Sequence, residues 1–474
     1  MSAIIPNGAS EKHKVLDVVE TDSGLKRLAD TYYVSFLSQN AKERKLSPIR
    51  SLLPLEKTPG IISLLAGKPN PTMFPITSLS FTARSPHSSS PTDEVSYSLT
   101  GDELAQGLQY GDTAGIEPLK DWLYGLQEYS HGRKRGEGWS IHVGSGSQDM
   151  IYKAVQVLVD DGDPVLIESP VYAYVSPSTS SVLTKSRPGF PLNSGVIPMF
   201  QTLHCELLEI ETDAEGISTS SLRAKLENWP YGCNPTGMTA TLERRVEALK
   251  IAREHDLIIL EDDPYYYLYY GTAPRPPSYF SLEKEVLPET GRVLRFDSFS
   301  KILSAGIRVG FASGPEALLK SIERHTATLN LQTPTFTQFI VYRILDSWGY
   351  DGFKVHTGRV SAFYREKRDV FQAAMEKYLA GYAEWVKPEA GMFFWFKLNL
   401  NSNVSDEDGG DSEFAIRTTA FENGVLALPG KVFLPNGNKT AYVRASFSLS
   451  PPEDVYEALK RLATAIAQVR AKQA

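Results

Sequence analysis

The sequence has little cysteine and no long apolar run. Its 474 residues include two cysteines, Cys205 and Cys233, too few for the disulfide framework of a small secreted protein. No stretch has the length and apolar character of a membrane span, and the first residues, MSAIIPNGASEKHK, do not follow a secretory signal pattern. We therefore expect a reduced, cytoplasmic protein with no membrane-embedded part.

Positive charge is also in short supply. The formal net charge is −7, whereas a nucleic-acid-binding surface needs clustered Lys and Arg to neutralise phosphates. The eight histidines show no metal-ligand spacing. We expect neither a nucleic-acid partner nor a metal site, although a single pocket for a small anion remains possible.

The chain nevertheless has the composition of a folded protein, with 42% hydrophobic and 22% charged residues. Between about residues 141 and 313, short apolar runs alternate with helical patterns. This alternation predicts an α/β fold in which parallel strands are covered by helices. The apolar runs in question are VLIES, LIILEDD, VLRFDS and RVGFASG.

The two ends of the chain have a different pattern, with long helical segments followed by strand-like runs such as MFFWFKL. They predict a smaller α/β domain assembled from both ends. We divide the chain into an N-terminal segment (1–85) that contributes to this domain, a large domain (86–354), and the C-terminal part of the small domain (355–474).

Lysine at position 301 ends the run DSFSK, and GIRVG follows it at 306–310. A lysine at the mouth of a buried strand becomes nucleophilic when burial or nearby cations lower its pKa, and Ser and Arg side chains bind phosphate. The alternative is an ordinary solvated lysine in a loop.

Carboxylates follow another predicted strand, in the run EDDPYY that begins at Glu261. A carboxylate such as Asp262 can hold a heteroaromatic nitrogen protonated, which strengthens the ring as an electron sink. The alternative is a turn in which the carboxylate caps a backbone amide.

Three further motifs are weaker by themselves. The sequence NPTG at 234–237 is also ordinary turn punctuation, and GSGSQ at 144–148 opens an amphipathic helix whose N-terminus favours anions. Arg444 lies inside the apolar run YVRASF, where it needs a substrate carboxylate or an internal salt bridge as partner.

In this order and spacing, SGSQ, SPVY, NPTG, EDDPYYY, DSFSK, GIRVGF and YVRASFS resemble the fold-type I aminotransferases, which depend on pyridoxal 5'-phosphate. Together with LSPIRSLL, LLAGKPNPTMFP and LQYGDTAGIEPLKDWL, they are similar to the fungal aromatic and α-aminoadipate/kynurenine branch. The resemblance covers nearly the whole chain. It implies a large domain with a mostly parallel sheet of the seven-stranded type between helices, and a smaller α/β domain.

The resemblance also implies roles for individual residues. Lys301 would bond covalently to the cofactor and move the substrate Cα proton, and Asp262 would pair with the ring nitrogen. The other implied cofactor contacts are Asn234 and Tyr265 at the ring hydroxyl oxygen, Tyr172 on the ring face, and Ser147, Gln148, Ser298, Ser300 and Arg308 at the phosphate.

Substrates and partners follow from the same resemblance. Arg444 would bind the substrate α-carboxylate, with Asn234, Gly67 and Arg50 in the substrate pocket. A homodimer with shared sites is implied, in which Tyr110 reaches the partner subunit's phosphate. The implied reaction transfers the amino group of an L-amino acid, with Phe, Tyr and Trp the expected donors, to a 2-oxo acid such as 2-oxoglutarate.

The sequence departs from the family pattern at two places. About twenty Ser/Pro-rich residues, 176–194, follow the SPVY motif, and residues 226–230 stand where the family has an apolar strand before Tyr231. We hypothesise a mispredicted gene model, which sequencing of the transcript tests. If the sequence is correct, either the sheet has a gap or another segment fills it, and Asn234 is displaced.

Four other readings remain open. The first is an α-aminoadipate or kynurenine aminotransferase, and the second is a related lyase or cyclopropane-forming synthase that uses the same cofactor. The third is an inactive family member that lacks the strand. A cofactor-sensing domain of a regulator is disfavoured, because the chain is acidic and no DNA-binding module precedes Arg50.

Overall fold

The structure is a computed structural model of the chain. It describes residues 16–45, 52, 55–56, 58–65, 67–88, 90, 93–169, 180–182, 197–213, 216–220, 222, 240–400, 410–435 and 437–473. The strands are β1 (Val18–Glu20), β2 (Lys26–Leu28), β3 (Leu79–Arg84), β4 (Glu94–Leu99), β5 (Trp139–Gly144), β6 (Pro164–Ser169), β7 (Ser180–Val182), β8 (Glu206–Asp213), β9 (Gly216–Ile217), β10 (Ile259–Asp262), β11 (Val293–Ser298), β12 (Gly310–Pro315), β13 (Ala383–Trp385), β14 (Phe393–Leu398), β15 (Leu428–Pro429) and β16 (Tyr442–Ser446).

Helices separate most of these strands. The α-helices are Gln39–Glu43, Gly101–Leu108, Glu117–His131, Ser147–Leu158, Ile197–Gln201, Leu242–Glu254, Tyr279–Val286, Glu316–Leu329, Thr335–Tyr378, Ser412–Ala415 and Pro452–Gln473. Among the described residues, no helix is both long enough and apolar enough to cross a membrane.

The largest sheet in the described part of the chain has eight strands in the order β5-β12-β11-β10-β7-β6-β8-β9. The pairs β10–β11 and β6–β8 are parallel, while β7, β9 and β12 run antiparallel to their neighbours. The sheet is therefore mixed, with five of these eight strands in one direction. The expected α/β class is confirmed, with one more strand than the expected seven.

The short strand β7 comes from the Ser/Pro-rich insertion. Its residues pair antiparallel with β10 on one side and with β6 on the other. An inner position between two parallel-running strands is therefore filled by a three-residue segment of the opposite direction. The segment before Tyr231, where the sequence lacks the expected apolar strand, lies outside the described residues, so the loss of that strand stays a prediction.

Helices cover both faces of this sheet because each has one apolar side. The Ser147–Leu158 helix, for example, buries Met150, Ala154 and Val155 completely. Its core also includes Leu260, Leu294 and Phe296 from the central strands β10 and β11. This packing fixes the helix N-terminus beside the ends of those strands.

A second, four-stranded sheet has the order β13-β14-β16-β15 and is antiparallel throughout. It packs with the Pro452–Gln473 helix in a separate core that includes Phe394, Phe396 and Leu462. The Thr335–Tyr378 helix runs from one core to the other and has non-helical backbone angles at Gly349. The expected domain boundary at residue 354 falls within this helix, so the three-part division stays a prediction.

Candidate active site

The site lies where strands β10 and β11 end. Because these strands are parallel, with Asp262 paired with Phe296, their carboxyl ends lie at the same edge of the sheet. Asp262 is the last residue of β10, and β11 ends at Ser298, from which a 3-10 turn, Phe299–Lys301, leads to the lysine. The chain thus brings the predicted carboxylate and the predicted lysine to one place.

Asp262 is partly satisfied by the protein. Its carboxylate accepts a hydrogen bond from Ser147, while its Oδ1 atom is buried and has no hydrogen-bond partner among the described residues. Burial, followed by the negative charge of Asp263, raises the pKa of Asp262 from its ordinary value of 3.8 to about 7. A positively charged N–H donor at Oδ1 would satisfy the atom and favour the ionised carboxylate.

Lys301 is shifted in the direction that a nucleophile requires. Burial lowers its pKa, and the positive charges of Arg308 and Arg444 lower it further, against the opposing effect of Asp262. Its Nζ atom lies 5.9 Å from the ring centroid of Tyr265, which is buried. A larger fraction of the amine is therefore neutral near pH 7 than for a solvated lysine.

Hydroxyl and guanidinium donors cluster next to this lysine. Ser298 Oγ donates to Ser300 Oγ at 3.0 Å, and Arg308 Nη1 donates to the same Ser300 oxygen at 2.9 Å. Arg308 has a left-handed backbone, with φ at 49°, and its Nη2 donates to the carbonyl of Ser145 at 2.8 Å. These contacts tie the residues after β11 to the loop after β5.

That loop opens the Ser147–Leu158 helix. Its N-cap residue, Gly146, has φ at 101°, and no side chain caps the helix, so the first backbone N–H groups remain available for an anion. A Cβ atom at Gly146 would lie 2.6 Å from Arg308 Nη2. Glycine is therefore needed both for the backbone conformation and for the close approach of the guanidinium.

Arg444 reaches the site from the four-stranded sheet. It lies on β16 opposite Trp395 of β14, and its guanidinium carbon is 4.0 Å from the ring centroid of Phe393 and 4.9 Å from that of Phe433. Both rings lie within cation–π range of the guanidinium. The positive charge of Arg444 lowers the pKa of Lys301, so the two cations are near each other.

Of five further predicted site residues, two are exposed and three lie outside the described residues. Tyr110 is 57% exposed, just beyond the Gly101–Leu108 helix, and Gly67 is also exposed. Arg50, Tyr172 and Asn234 lie outside the described residues. Among the described residues, no group of His, Cys, Asp and Glu is arranged to hold a metal ion.

Sequence reasoning missed a buried ion cluster directly behind Asp262. Arg295 is completely buried and donates twice to Asp297, at 3.0 and 2.8 Å, and its Nη1 lies 3.2 Å from Glu261 Oε1. Alternate residues of a strand point to opposite faces, so this cluster and Asp262 are on different sides of the sheet. The available signal was an arginine inside the apolar run VLRF.

Comparison of the chain with known proteins identifies its family. Residues 105–462 match the family described as "Aminotransferase class I and II". The chain belongs to the class I and II aminotransferases, enzymes that transfer an amino group. Membership of this family implies pyridoxal 5'-phosphate as the cofactor.

Individual relatives agree with the family. The chain is 40% identical over 429 residues to "Aminotransferase tdiD" of Emericella nidulans, covering 88% of this chain and 91% of that protein. It is 33% identical to the mouse protein "Kynurenine/alpha-aminoadipate aminotransferase, mitochondrial", covering 92% and 99%. The crystal structure of aminotransferase Aro8 from Candida albicans has a TM-score of 0.78 at 22% identity, covering 92% and 98%, and supports the fold.

The described residues fit the implied cofactor. The buried, unpartnered Oδ1 of Asp262 can accept from a protonated ring nitrogen, and the uncapped helix end with Arg308, Ser298 and Ser300 can bind a phosphate. The charges of Asp262 and Arg308, one from each part, both act on the pKa of the Lys301 amine.

Proposed function

We propose that the protein transfers the amino group of an aromatic L-amino acid, namely phenylalanine, tyrosine or tryptophan, to a 2-oxo acid such as 2-oxoglutarate. The observation that carries this proposal is the buried open oxygen of Asp262 beside the low-pKa amine of Lys301. Proteins named aromatic amino acid aminotransferases, from Thermococcus litoralis and Schizosaccharomyces pombe, are 28% identical to this chain and support the choice of donor.

The cofactor, when bound, supplies an aldehyde carbon for a covalent bond to an amine and a ring that accepts electrons. Lys301 Nζ, made more nucleophilic by burial and by the nearby arginines, would hold the cofactor through this bond. As a free amine, Lys301 would be the base that takes up the substrate Cα proton. Lys301 thus acts as anchor and as general base.

Asp262 and Tyr265 orient the ring. The Asp262 carboxylate, held by Ser147, would accept from the ring nitrogen and keep that nitrogen protonated. Tyr265 is buried, with its ring centroid 5.9 Å from the lysine amine, and its hydroxyl would donate a hydrogen bond to the ring oxygen, together with Asn234. Tyr172 would stack on the ring. Such contacts would fix the orientation of the cofactor relative to the reacting bond.

Charged groups hold the two ends of the reacting molecules. The amides of Ser147 and Gln148, the hydroxyls of Ser298 and Ser300, and Arg308 bind the phosphate. Arg444 binds the α-carboxylate of the substrate through its planar fork, which the rings of Phe393 and Phe433 keep in place.

Two copies of the chain form the working enzyme. Several apolar side chains near the N-terminus are exposed in the single chain, which is typical of an interface that a second copy covers. We assign Tyr110 to the partner's phosphate, and Gly67 and Arg50 to the substrate pocket. We assign the dimer to the cytoplasm. The exposed side chains are Leu55 at 59%, Ile62 at 91%, Leu64 at 98% and Met73 at 80%.

An α-aminoadipate or kynurenine donor is the second candidate. It is favoured by the relatives bearing that name in mouse, cow and rat, which are 33% identical over 92% of this chain. Arg50 would serve an acidic distal group in that case and an aromatic ring in the first case.

Measuring donor specificity with one donor at a time distinguishes the two candidates. Phenylalanine, tyrosine, tryptophan, kynurenine and α-aminoadipate are each supplied with 2-oxoglutarate, and initial rates of glutamate formation give kcat/KM. The proposal predicts the highest values for the three aromatic donors. A higher value for α-aminoadipate or kynurenine would replace the donor, whereas no glutamate from any donor would overturn the proposed function.

A further inference from the structure

An acid–lysine pair occupies the first two turns of the helix at the proposed phosphate site. Asp149 Oδ2 accepts from Lys153 Nζ at 2.8 Å and from the backbone N–H of Ser145 at 2.9 Å. The lysine side chain is fully buried, whereas that of Asp149 is 20% exposed. A buried ammonium is costly unless it is paired, so this lysine is unlike the solvated lysines of ordinary surface pairs.

The pair is joined to the phosphate-binding groups through Ser145. The Ser145 N–H donates to Asp149, and the Ser145 carbonyl accepts from Arg308 Nη2 at 2.8 Å. A Cβ atom at Gly144 would lie 2.9 Å from Asp149 Oδ2, so the carboxylate is packed closely against the loop. Asp149 therefore fixes the loop that supports both Arg308 and the helix N-terminus.

This arrangement creates an electrostatic conflict. A carboxylate in the first turn is stabilised by the helix dipole when no ligand is bound, but it repels a phosphate at the same helix end. The nearby His325 cannot offset that charge, because burial and the positive charge of Arg44 lower its pKa to about 4 and keep it neutral. The ammonium in direct contact with Asp149 can offset it.

We propose that Lys153 is a positioning residue that neutralises Asp149, so that Asp149 can brace the Ser145 loop without repelling the cofactor's phosphate. This inference rests on the proposed function, because it assumes that the phosphate of pyridoxal 5'-phosphate binds at this helix end. It assigns a role in cofactor affinity to two residues that touch neither the ring nor the substrate.

The test compares binding of two ligands that differ in the phosphate. Lys153→Met keeps an unbranched buried side chain and removes the charge. Equilibrium titration followed by absorbance should show pyridoxal 5'-phosphate bound roughly tenfold more weakly than by the unchanged protein. Affinity for pyridoxal, which has no phosphate, should stay within about twofold.

A double variant separates charge from packing. In Asp149→Asn/Lys153→Met the amide oxygen can still accept from Ser145 and no charge needs compensation, so phosphate-dependent affinity should return to within about threefold. Lys320→Met is the matched control, because Lys320 pairs with Glu316 at the same spacing in the first turns of another helix, where both side chains are exposed. It should leave both affinities unchanged.

Two results would overturn the inference while leaving the proposed function intact. One is equal weakening of both ligands by Lys153→Met, which indicates a packing defect. The other is loss of phosphate-dependent affinity that the double variant does not restore. If the unchanged protein binds neither ligand, the proposed function and this inference both fail.

Discussion

The two faces of the β10–β11 strand pair carry buried charges with different environments. On one face, Glu261 accepts from the backbone N–H groups of Tyr279 and Phe280 and lies 3.2 Å from Arg295, which also binds Asp297. On the other face, Asp262 accepts from Ser147, and its Oδ1 atom is buried without a hydrogen-bond partner among the described residues. The acids of the first face are thus paired with Arg295, whereas Asp262 has no ion pair among the described residues and can accept from a positively charged ligand.

The largest expected effect is on the side of the strand pair that carries Asp262, which we call the open face. Lys301→Ala removes the amine that bonds to the cofactor and moves the proton, so we expect amino transfer to fall by roughly 10³-fold. Single-turnover conversion of L-phenylalanine measures this. Lys320→Ala, at an exposed position, is the control and should react normally. A Lys301→Ala protein with near-normal turnover would remove the lysine from the mechanism.

The side that carries Arg295, which we call the closed face, should instead control the stability of the folded protein. Arg295→Met leaves buried carboxylates without their cation, so we expect the free energy of unfolding to fall by about 3–5 kcal/mol. Denaturant titration measures it. Arg417 is 62% exposed and forms a surface ion pair with Glu413, so Arg417→Met should lower the free energy of unfolding by at most about 1 kcal/mol. Equal losses in the two variants would contradict the comparison.

Replacing Asp262 should lower activity without lowering stability, the reverse of what we expect for Arg295. Asp262→Asn removes an open buried carboxylate, so we expect no loss of stability in the cofactor-free protein. The asparagine cannot hold the ring nitrogen protonated, and we expect kcat to fall on the order of 10²-fold. Measuring kcat and the unfolding midpoint of one preparation checks both halves. A large loss of stability with unchanged kcat would place Asp262 with the closed face.

The raised pKa of the Asp262 carboxylate should make the stability of the folded protein depend on pH. Its pKa in the cofactor-free folded protein is raised from 3.8 to about 7, so the folded state retains a proton that the unfolded chain releases. The stability linked to this proton is fully present below about pH 4 and is lost as the pH rises through about 7. Asp262→Asn should therefore gain stability relative to the unchanged protein between pH 5 and pH 8. A constant difference between the two proteins would contradict the assignment.

The smallest expected effect concerns the approach of Arg308 to the helix end. Gly146→Ala places a Cβ atom against the guanidinium, so we expect cofactor affinity to fall by roughly tenfold. Gly136→Ala is matched in having a positive φ of 89° but has open space around the position. It should lose some stability and no cofactor affinity, as measured by titration. Equal affinities for the two variants would remove Gly146 from the phosphate site.

Sequence patterns predicted the open face better than the closed one. Asp262 and Lys301 follow apolar runs, and parallel strands place such residues together at one edge. The partners of Arg295 depend on the strand register and on burial, neither of which is visible in the run VLRF. The pair of Asp149 and Lys153 was also hidden, because an acid and a lysine four residues apart are usually on a helix surface.

The insertion was recognised as a departure, but its structural outcome was not predictable. Strand β7 comes from a Ser-rich run without the alternation that marks a strand. It pairs with both β6 and β10, which run in the same direction. Pairing at an inner sheet position uses backbone N–H and C=O groups, which every non-proline residue carries, so the side-chain pattern need not reveal it.

The central claim is that Lys301 and Asp262 hold a cofactor that accepts an amino group. The most direct test is the absorption spectrum of the purified protein with pyridoxal 5'-phosphate, before and after L-phenylalanine is added without a 2-oxo acid. We predict that the band of the lysine-bound cofactor disappears while the band of its aminated form rises. A spectrum that shows no bound cofactor, or one that phenylalanine and the alternative donors leave unchanged, would contradict the account.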